Sequence, residues 1–364
     1  MPTRSLVTSY RDDLKIFPDM WHKVGLLVGV AVILYLPFYL DPEGSWMRTA
    51  NLSLVYIVGS VSLMVLTGFA GQISLGHAGF IAIGAFTMGL MGERYGLPFW
   101  ILMPLAGLIA AVVGVAIGFF ALRLKGLHLA IVTVGLLYLV RHVLVLPSMA
   151  GGLSTAQKVP IYLFPGETAK SAAEIKVPMD YGPITLFFEQ KMYFIFLAIT
   201  IVVCYWAKNL ARSNAGRAMM AVRDHDLAAA TLGVNPAKAK LQAFAISSFL
   251  AGIAGAMYGM LFGNISVDNF HLDMSVHYIA MIVIGGIGSV MGAICGAIAV
   301  TVLSPLMRFI GPKLPLISRI ESVSLQESVL FSILVIGFLI IEPLGIFGIW
   351  LRIKRYFMAW PFRY

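Results

Sequence analysis

Long apolar runs recur along this chain from residue 24 to residue 350, separated by short charged or proline- and glycine-rich connections. Each run approaches the 20 or so residues that a helix needs to cross the bilayer core, and no soluble core could hide so many. Only 12% of the residues are charged and 59% are hydrophobic, whereas a soluble domain carries about a quarter charged residues. The fold class expected is all-α: a polytopic membrane protein of roughly ten transmembrane helices. The runs lie near 24–40, 50–67, 77–91, 98–122, 127–146, 192–207, 241–263, 275–289, 291–307 and 328–350.

An even number of spans puts both termini on one side. If that side is the cytoplasm, most of the 26 lysines and arginines fall inside, among them Arg4, Arg11, Lys208, Arg212, Arg217, Arg223, Lys238 and Lys240. That is the distribution a membrane protein favours. The chain then divides into a cytoplasmic segment 1–23, a transmembrane domain 24–350 and a cytoplasmic tail 351–364. Within the domain, 147–191 is an external loop and 208–240 a cytoplasmic one. The net charge of +9 comes with no dense basic tract, so it fits this topology and not nucleic-acid binding. DPEGSW follows the first run without a small-residue cleavage pattern, so that run is read as a retained span. The external loop is punctuated by Pro147, Pro160, Pro165, Pro178 and Pro183, and is either a docking site for an external partner or a tolerated insertion.

Several chemistries are absent from the sequence. There is no GxxxxGK[ST], HExxH, paired CxxC or GxSxG, so no enzyme, bound cofactor or metal is expected, and no nucleotide site. An ion-coupled transporter would carry acids inside its spans. Here the acids cluster at segment ends, and Glu342, Arg141 and His142, near apolar interiors, read as interfacial side chains. A transport path would need its energy from another chain.

One polar island interrupts the apolar pattern: ARSNAGRAMMAVRDHDLAAATLGVNPAKAK, residues 211–240. It predicts a short helix capped by Asp224 or Asp226, with Gly233 in the left-handed position past its end and Pro236 preventing its resumption. Ala228, Ala229 and Ala230 offer a narrow surface for close approach. An amphipathic helix lying on headgroups would favour lysine-rich and aromatic faces, so docking to protein is the favoured reading. A second anomaly is GFAGQISLGHAGF, residues 68–80, where four glycines accompany Gln72, Ser74 and His77 between apolar runs. Irregular backbone at that depth must be buried in protein or line a wet cavity. Close packing through small residues is the alternative, and it needs the glycines but not Gln72 or Ser74. His77 reads as a satisfied hydrogen-bonding residue. The later stretch VIGGIGSVMGAICGAIA, 283–299, shares the glycine density without occupying a corresponding span, a weak sign of inverted repeats.

RAMMAVRDHDLAAATLGVNPAKAKLQAFAISSFLAGIAGAMYG resembles the coupling region of permeases from bacterial high-affinity branched-chain amino acid ABC importers. TGFAGQISLGHAGFIAIGAF, ALRLKGLHLAIVTVG and VIGGIGSVMGAICGA resemble the same family, in particular its M-type (LivM-like) subunit. The resemblance implies an ABC importer permease fold with broken or re-entrant helices in a bacterial inner membrane. It implies as partners a homologous second permease subunit, two cytoplasmic ATPase subunits holding ATP and magnesium, and an external substrate-binding protein. It places Arg217, Arg223, Asp224, Asp226, Ala229 and Gly233 at the ATPase coupling site. It places Gly71, Gln72, Ser74, Gly76 and Gly79, with His77 between them, along the translocation path. Two departures stand out. Asp224, His225 and Asp226 occupy positions where the family pattern has two glutamates flanking an asparagine, and Glu342 replaces a basic residue. Urea or amide permeases and aromatic-acid importers of the same family therefore remain open, and an ion-coupled secondary transporter is the alternative of another class.

Overall fold

In the computed structural model the described residues are 20–41, 44–121, 126–145, 157–161, 179–181, 184–310, 329, 331–333, 336–337, 340 and 345–359. Most of the 147–191 loop, most of the last run, Glu342, and most of segments 1–23 and 360–364 lie outside them. The order is α1 (Met20–Tyr39), α2 (Ser45–Met64), α3 (His77–Tyr95), α4 (Phe99–Ala121), α5 (Leu127–Val145) and β1 (Gln157–Lys158). There follow β2 (Met179–Tyr181), β3 (Ile184–Leu186), α6 (Phe188–Arg212), α7 (Asn214–Asp224), α8 (Asp226–Thr231) and α9 (Pro236–Phe262). Last come β4 (Asn264–Ile265), α10 (Leu272–Gly285), α11 (Val290–Ile310) and α12 (Gly345–Ala359).

The chain is a multi-pass membrane protein. Among the described residues four segments are long and apolar enough to cross: Ser45–Phe69, Phe99–Phe120, Phe188–Arg212 and Pro236–Phe262. The first and last of these are 83% and 72% buried, the middle two 39% and 33%. So α2 and α9 form the interior, while α4 and α6 turn residues such as Val112, Phe119, Val202 and Tyr205 outward. The runs 275–289 and 291–307, separate spans on the sequence reading, are two helices bent by 119° across a short break. With 14 residues, α10 is about 21 Å long, short of a core of about 30 Å.

Small residues set how closely the helices approach. A Cβ on Gly255 of α9 would lie 2.0 Å from the Ile81 carbonyl oxygen of α3, and one on Gly84 2.0 Å from that of Gly252. A Cβ on Gly114 of α4 would lie 2.0 Å from Ser248 Oγ. Lipid supplies no hydrophobic drive between helices, so such close backbone contact is the main source of cohesion. Polar groups repair the irregular places. Pro37, inside α1, cannot donate to the carbonyl four residues back; Tyr193 Oη donates to that Ile33 oxygen at 3.0 Å. Asn51, fully buried in α2, donates to the backbone and carboxylate of Glu189. β1 pairs antiparallel with β4, so residues 157–158 sit at the end of α9 remote from α8. Arg141 of α5 pairs with Asp268 at 3.2 Å on the same side.

Gly255→Ala should cost roughly 1–3 kcal/mol through overpacking. Gly135→Ala on α5, where nothing lies within 4 Å of a Cβ, should be neutral or slightly stabilising. Melting of the purified protein in detergent checks the contrast; equal melting temperatures for the two variants would contradict the packing described.

Candidate functional site

The polar island folds as two helices, not one. α7 begins at Ser213, whose Oγ accepts from Gly216 N–H at 3.2 Å, and it buries Gly216, Met219 and Val222. The extended His225, φ −153° and ψ 103°, then turns the chain into the six-residue α8. His225 is the N-cap of α8 and its side chain makes no capping bond, so the cap expected from Asp224 or Asp226 is not formed. Those carboxylates are engaged elsewhere. Asp224 accepts from Arg223 at 2.9 Å, and Asp226 from Lys240 Nζ of α9 at 2.8 Å. Gly233 does take the left-handed conformation, φ +87°, which favours glycine. Pro236 stands in the first turn of α9, where Asn235 accepts from Lys238 N–H; it opens a helix as well as ending one.

Of the three alanines, only Ala229 is buried, at 3% exposure; Ala228 and Ala230 are exposed. Leu227 and Leu232 are 82% and 84% exposed, and the sequence reading passed over both. Two leucines within a polar island were the available signal. Arg217 is exposed on α7 and hydrogen-bonds Asn214.

The first glycine break begins with a π-turn, Val65–Phe69. Protein groups satisfy its backbone, as the bilayer requires. Gly71 N–H donates to the Thr67 oxygen at 3.1 Å and Gln72 N–H to that of Leu66 at 3.2 Å. Thr67 Oγ1 donates to the Gln72 oxygen, Leu75 N–H to Thr133 Oγ1 and Ala78 N–H to Ser275 Oγ. Gly76 has a packing role, because a Cβ there would meet the Thr133 oxygen at 2.1 Å. Gly79 lies at ordinary contact distance from Leu137. His77 Nε2 lies 2.9 Å from Ser62 Oγ and 3.1 Å from the Gly59 oxygen. Gln72 and Ser74 differ: they are 4% and 0% exposed, yet neither side chain has a hydrogen-bond partner among the described residues. An unmet buried polar group costs about 1–3 kcal/mol, and close packing gives no reason for two of them.

The second break, between α10 and α11, comes back to the first. A Cβ on Gly68 would lie 2.9 Å from Gly288 Cα. Arg223 closes the junction: its Nη1 donates to the Gly68 oxygen at 2.6 Å. Its Cγ would lie 2.7 Å from a Cβ on Gly71, and Nη1 3.5 Å from one on Gly288. Gly71, at φ +68°, is thus needed for conformation and for space. A cation at the carbonyl end of a helix is also favoured by the helix dipole. Arg223 and Gly71, assigned from sequence to separate sites, are in contact.

The description "branched-chain amino acid transport system / permease component" belongs to a family that matches residues 45–343. The chain is a member of that family. It is 36% identical over 270 residues to the high-affinity branched-chain amino acid transport system permease protein LivM of Escherichia coli K12, covering 71% of this chain and 63% of that protein. To LivM of Salmonella typhimurium it is 34% identical over 297 residues, 79% of this chain and 68% of the relative. The Salmonella LivH permease is 30% identical over 153 residues, 42% of this chain and 43% of that one. The matched stretch is thus just under two thirds of the E. coli relative's length. No solved structure matches the chain. The family contains both breaks and the island within its matched span.

Arg223→Ala should lower the melting temperature in detergent by a few degrees, about 1 kcal/mol, because the guanidinium is 37% exposed and its bond is partly screened. Gly71→Ala should do at least as much. Arg217→Ala should leave melting unchanged; equal losses in Arg217→Ala and Arg223→Ala would remove the special place given to Arg223.

Proposed function

We propose that this chain is one of two permease subunits of an ATP-binding-cassette importer for branched-chain or related amino acids in a bacterial inner membrane. The other parts are a homologous permease, two cytoplasmic ATPases carrying ATP and magnesium, and an external binding protein that does most of the selecting. The relatives' printed names are those of branched-chain amino acid permeases, LivM and LivH. The observation that carries the reading is the α7–α8 peg, which exposes Leu227 and Leu232 while Arg223, at its base, grips both glycine breaks. The leucines form an apolar tip that an ATPase groove would cover, and Ala229 and Asp226 fasten α8 to the permease behind it.

The path is taken to run beside Gln72 and Ser74, whose polar groups have no partner among the described residues, with a topology of roughly ten spans and both termini cytoplasmic. The described carboxylates lie at helix ends or in connections, as with Glu93, Glu189, Asp268 and Asp273. Among the described residues that placement leaves an ion-coupled mechanism without an acid in midspan.

In proteoliposomes holding the assembled importer, Leu227→Asp with Leu232→Asp should reduce leucine uptake at least tenfold. Both side chains are exposed, so insertion and melting should stay unchanged. ATP hydrolysis should no longer rise when loaded binding protein is added. Full stimulated hydrolysis in the double variant would exclude the peg as the docking element. On topology, single cysteines at Leu232 and Asn264, in a background lacking Cys204 and Cys295, should be labelled from opposite faces. Labelling of both from one face would overturn the span assignment.

A further inference from the structure

At the end of α9 remote from the peg, a cavity of about 480 Å³ opens between α2, α9, the connection after β4, and α10. Its volume is within the range of small-molecule sites, roughly 300–1,000 Å³. Three tyrosines, Tyr56, Tyr258 and Tyr278, wall it, with Met274 and Met281 beside them. The titratable groups at its rim are the Asp273 carboxylate and the imidazoles of His271 and His277. Asp273 and His277 face each other at 3.4 Å.

The floor is Tyr278. Its ring occupies space that Gly59 leaves free, where a Cβ would lie 2.4 Å from the ring. It stands edge-on to Tyr56, with centroids 5.5 Å apart, and to His77, 5.3 Å apart. Tyr278 is fully buried, and its hydroxyl has no hydrogen-bond partner among the described residues. Below it His77 begins α3, where the first break ends. The cavity therefore stands above the segment that carries Ser74 and Gln72, on the side opposite the peg.

We infer that this cavity is a binding site for a zwitterionic α-amino acid with an aliphatic side chain. This rests on the importer reading and adds the place where cargo first meets the permease. An ammonium group is matched by the Asp273 carboxylate, with the electron-rich tyrosine rings around it. A carboxylate is matched by His271 and by the first-turn N–H groups of α10, whose N-cap His271 supplies no side-chain capping bond. The two methionines are flexible and polarisable, so they accept aliphatic groups of different branching. A purely anionic or cationic solute would leave one half of this arrangement unmet.

The test is protection from labelling. Asn269, exposed at the rim, is replaced by cysteine in the assembled importer lacking Cys204 and Cys295, without binding protein or nucleotide. L-leucine at millimolar concentration should slow maleimide labelling at this position several-fold, and neither isobutylamine nor isovalerate should do so. Asp273→Asn should abolish the protection, whereas Asp268→Asn, paired with Arg141 outside the cavity, should preserve it. Melting of both variants checks that they remain folded. Absence of protection by leucine in a complex that imports leucine would overturn the inference and leave the importer reading standing. So would protection by isovalerate as strong as by leucine. Protection by leucine in a complex that imports no branched-chain amino acid would retain the site and remove the importer reading.

Discussion

The bond from Arg223 to the Gly68 carbonyl holds together parts of the chain that no other described side chain joins in this way. Two helical interruptions, one after the π-turn and one between α10 and α11, meet with Gly68 against Gly288. Backbone irregularity inside a bilayer is tolerated only where every freed group finds a partner. The guanidinium supplies that partner at 2.6 Å, and it comes from α7, a helix of the polar island. One consequence is mechanical. A displacement of the peg cannot leave both breaks untouched, because the residue at its base lies between them. Coupling of that kind requires an element with two arrangements that both ends can bias.

The rest of the architecture makes the junction possible. α2 and α9 are interior helices whose glycines, alanines and serines let α3 and α4 approach to backbone contact. That leaves little side-chain volume to absorb a shift, so movement is directed to the breaks, where the helical ladder is already interrupted. Among the described residues several buried polar atoms have no hydrogen-bond partner, including Tyr278 Oη, His77 Nδ1, Ser74 Oγ and both polar side-chain atoms of Gln72. In a low-dielectric interior such groups are costly.

Much of this was legible in the sequence. The apolar runs announced a membrane protein, and GFAGQISLGHAGF announced a break, because glycine with Gln72 and Ser74 has no place in a lipid-facing helix. Gly233 announced the end of α8. Other features could not be read locally. The contact between Gly68 and Gly288 joins residues far apart in the chain, and nothing in either segment names its partner. The cap expected of α8 does not form because Asp224 and Asp226 are drawn into ion pairs with Arg223 and Lys240, the first a pair between chain neighbours and the second a bridge between helices. The short α10 read as a span because 275–289 is largely apolar, and apolarity says nothing of the 119° bend that follows. Leu227 and Leu232 were overlooked because the adjoining alanines suggested a surface that in fact is split, with Ala229 facing inward.

The central claim is that the peg and the second break move as one unit through Arg223. Spin labels at Ala221 of α7 and at Ile287, both exposed, allow the distance between them to be measured in the assembled importer with and without ATP. With Arg223 present, a narrow distance distribution is predicted, with a similar mean in both states, and Arg223→Ala should broaden it or make its mean depend on nucleotide. A distribution that is the same in Arg223→Ala as in the parent protein, in both nucleotide states, would contradict the account.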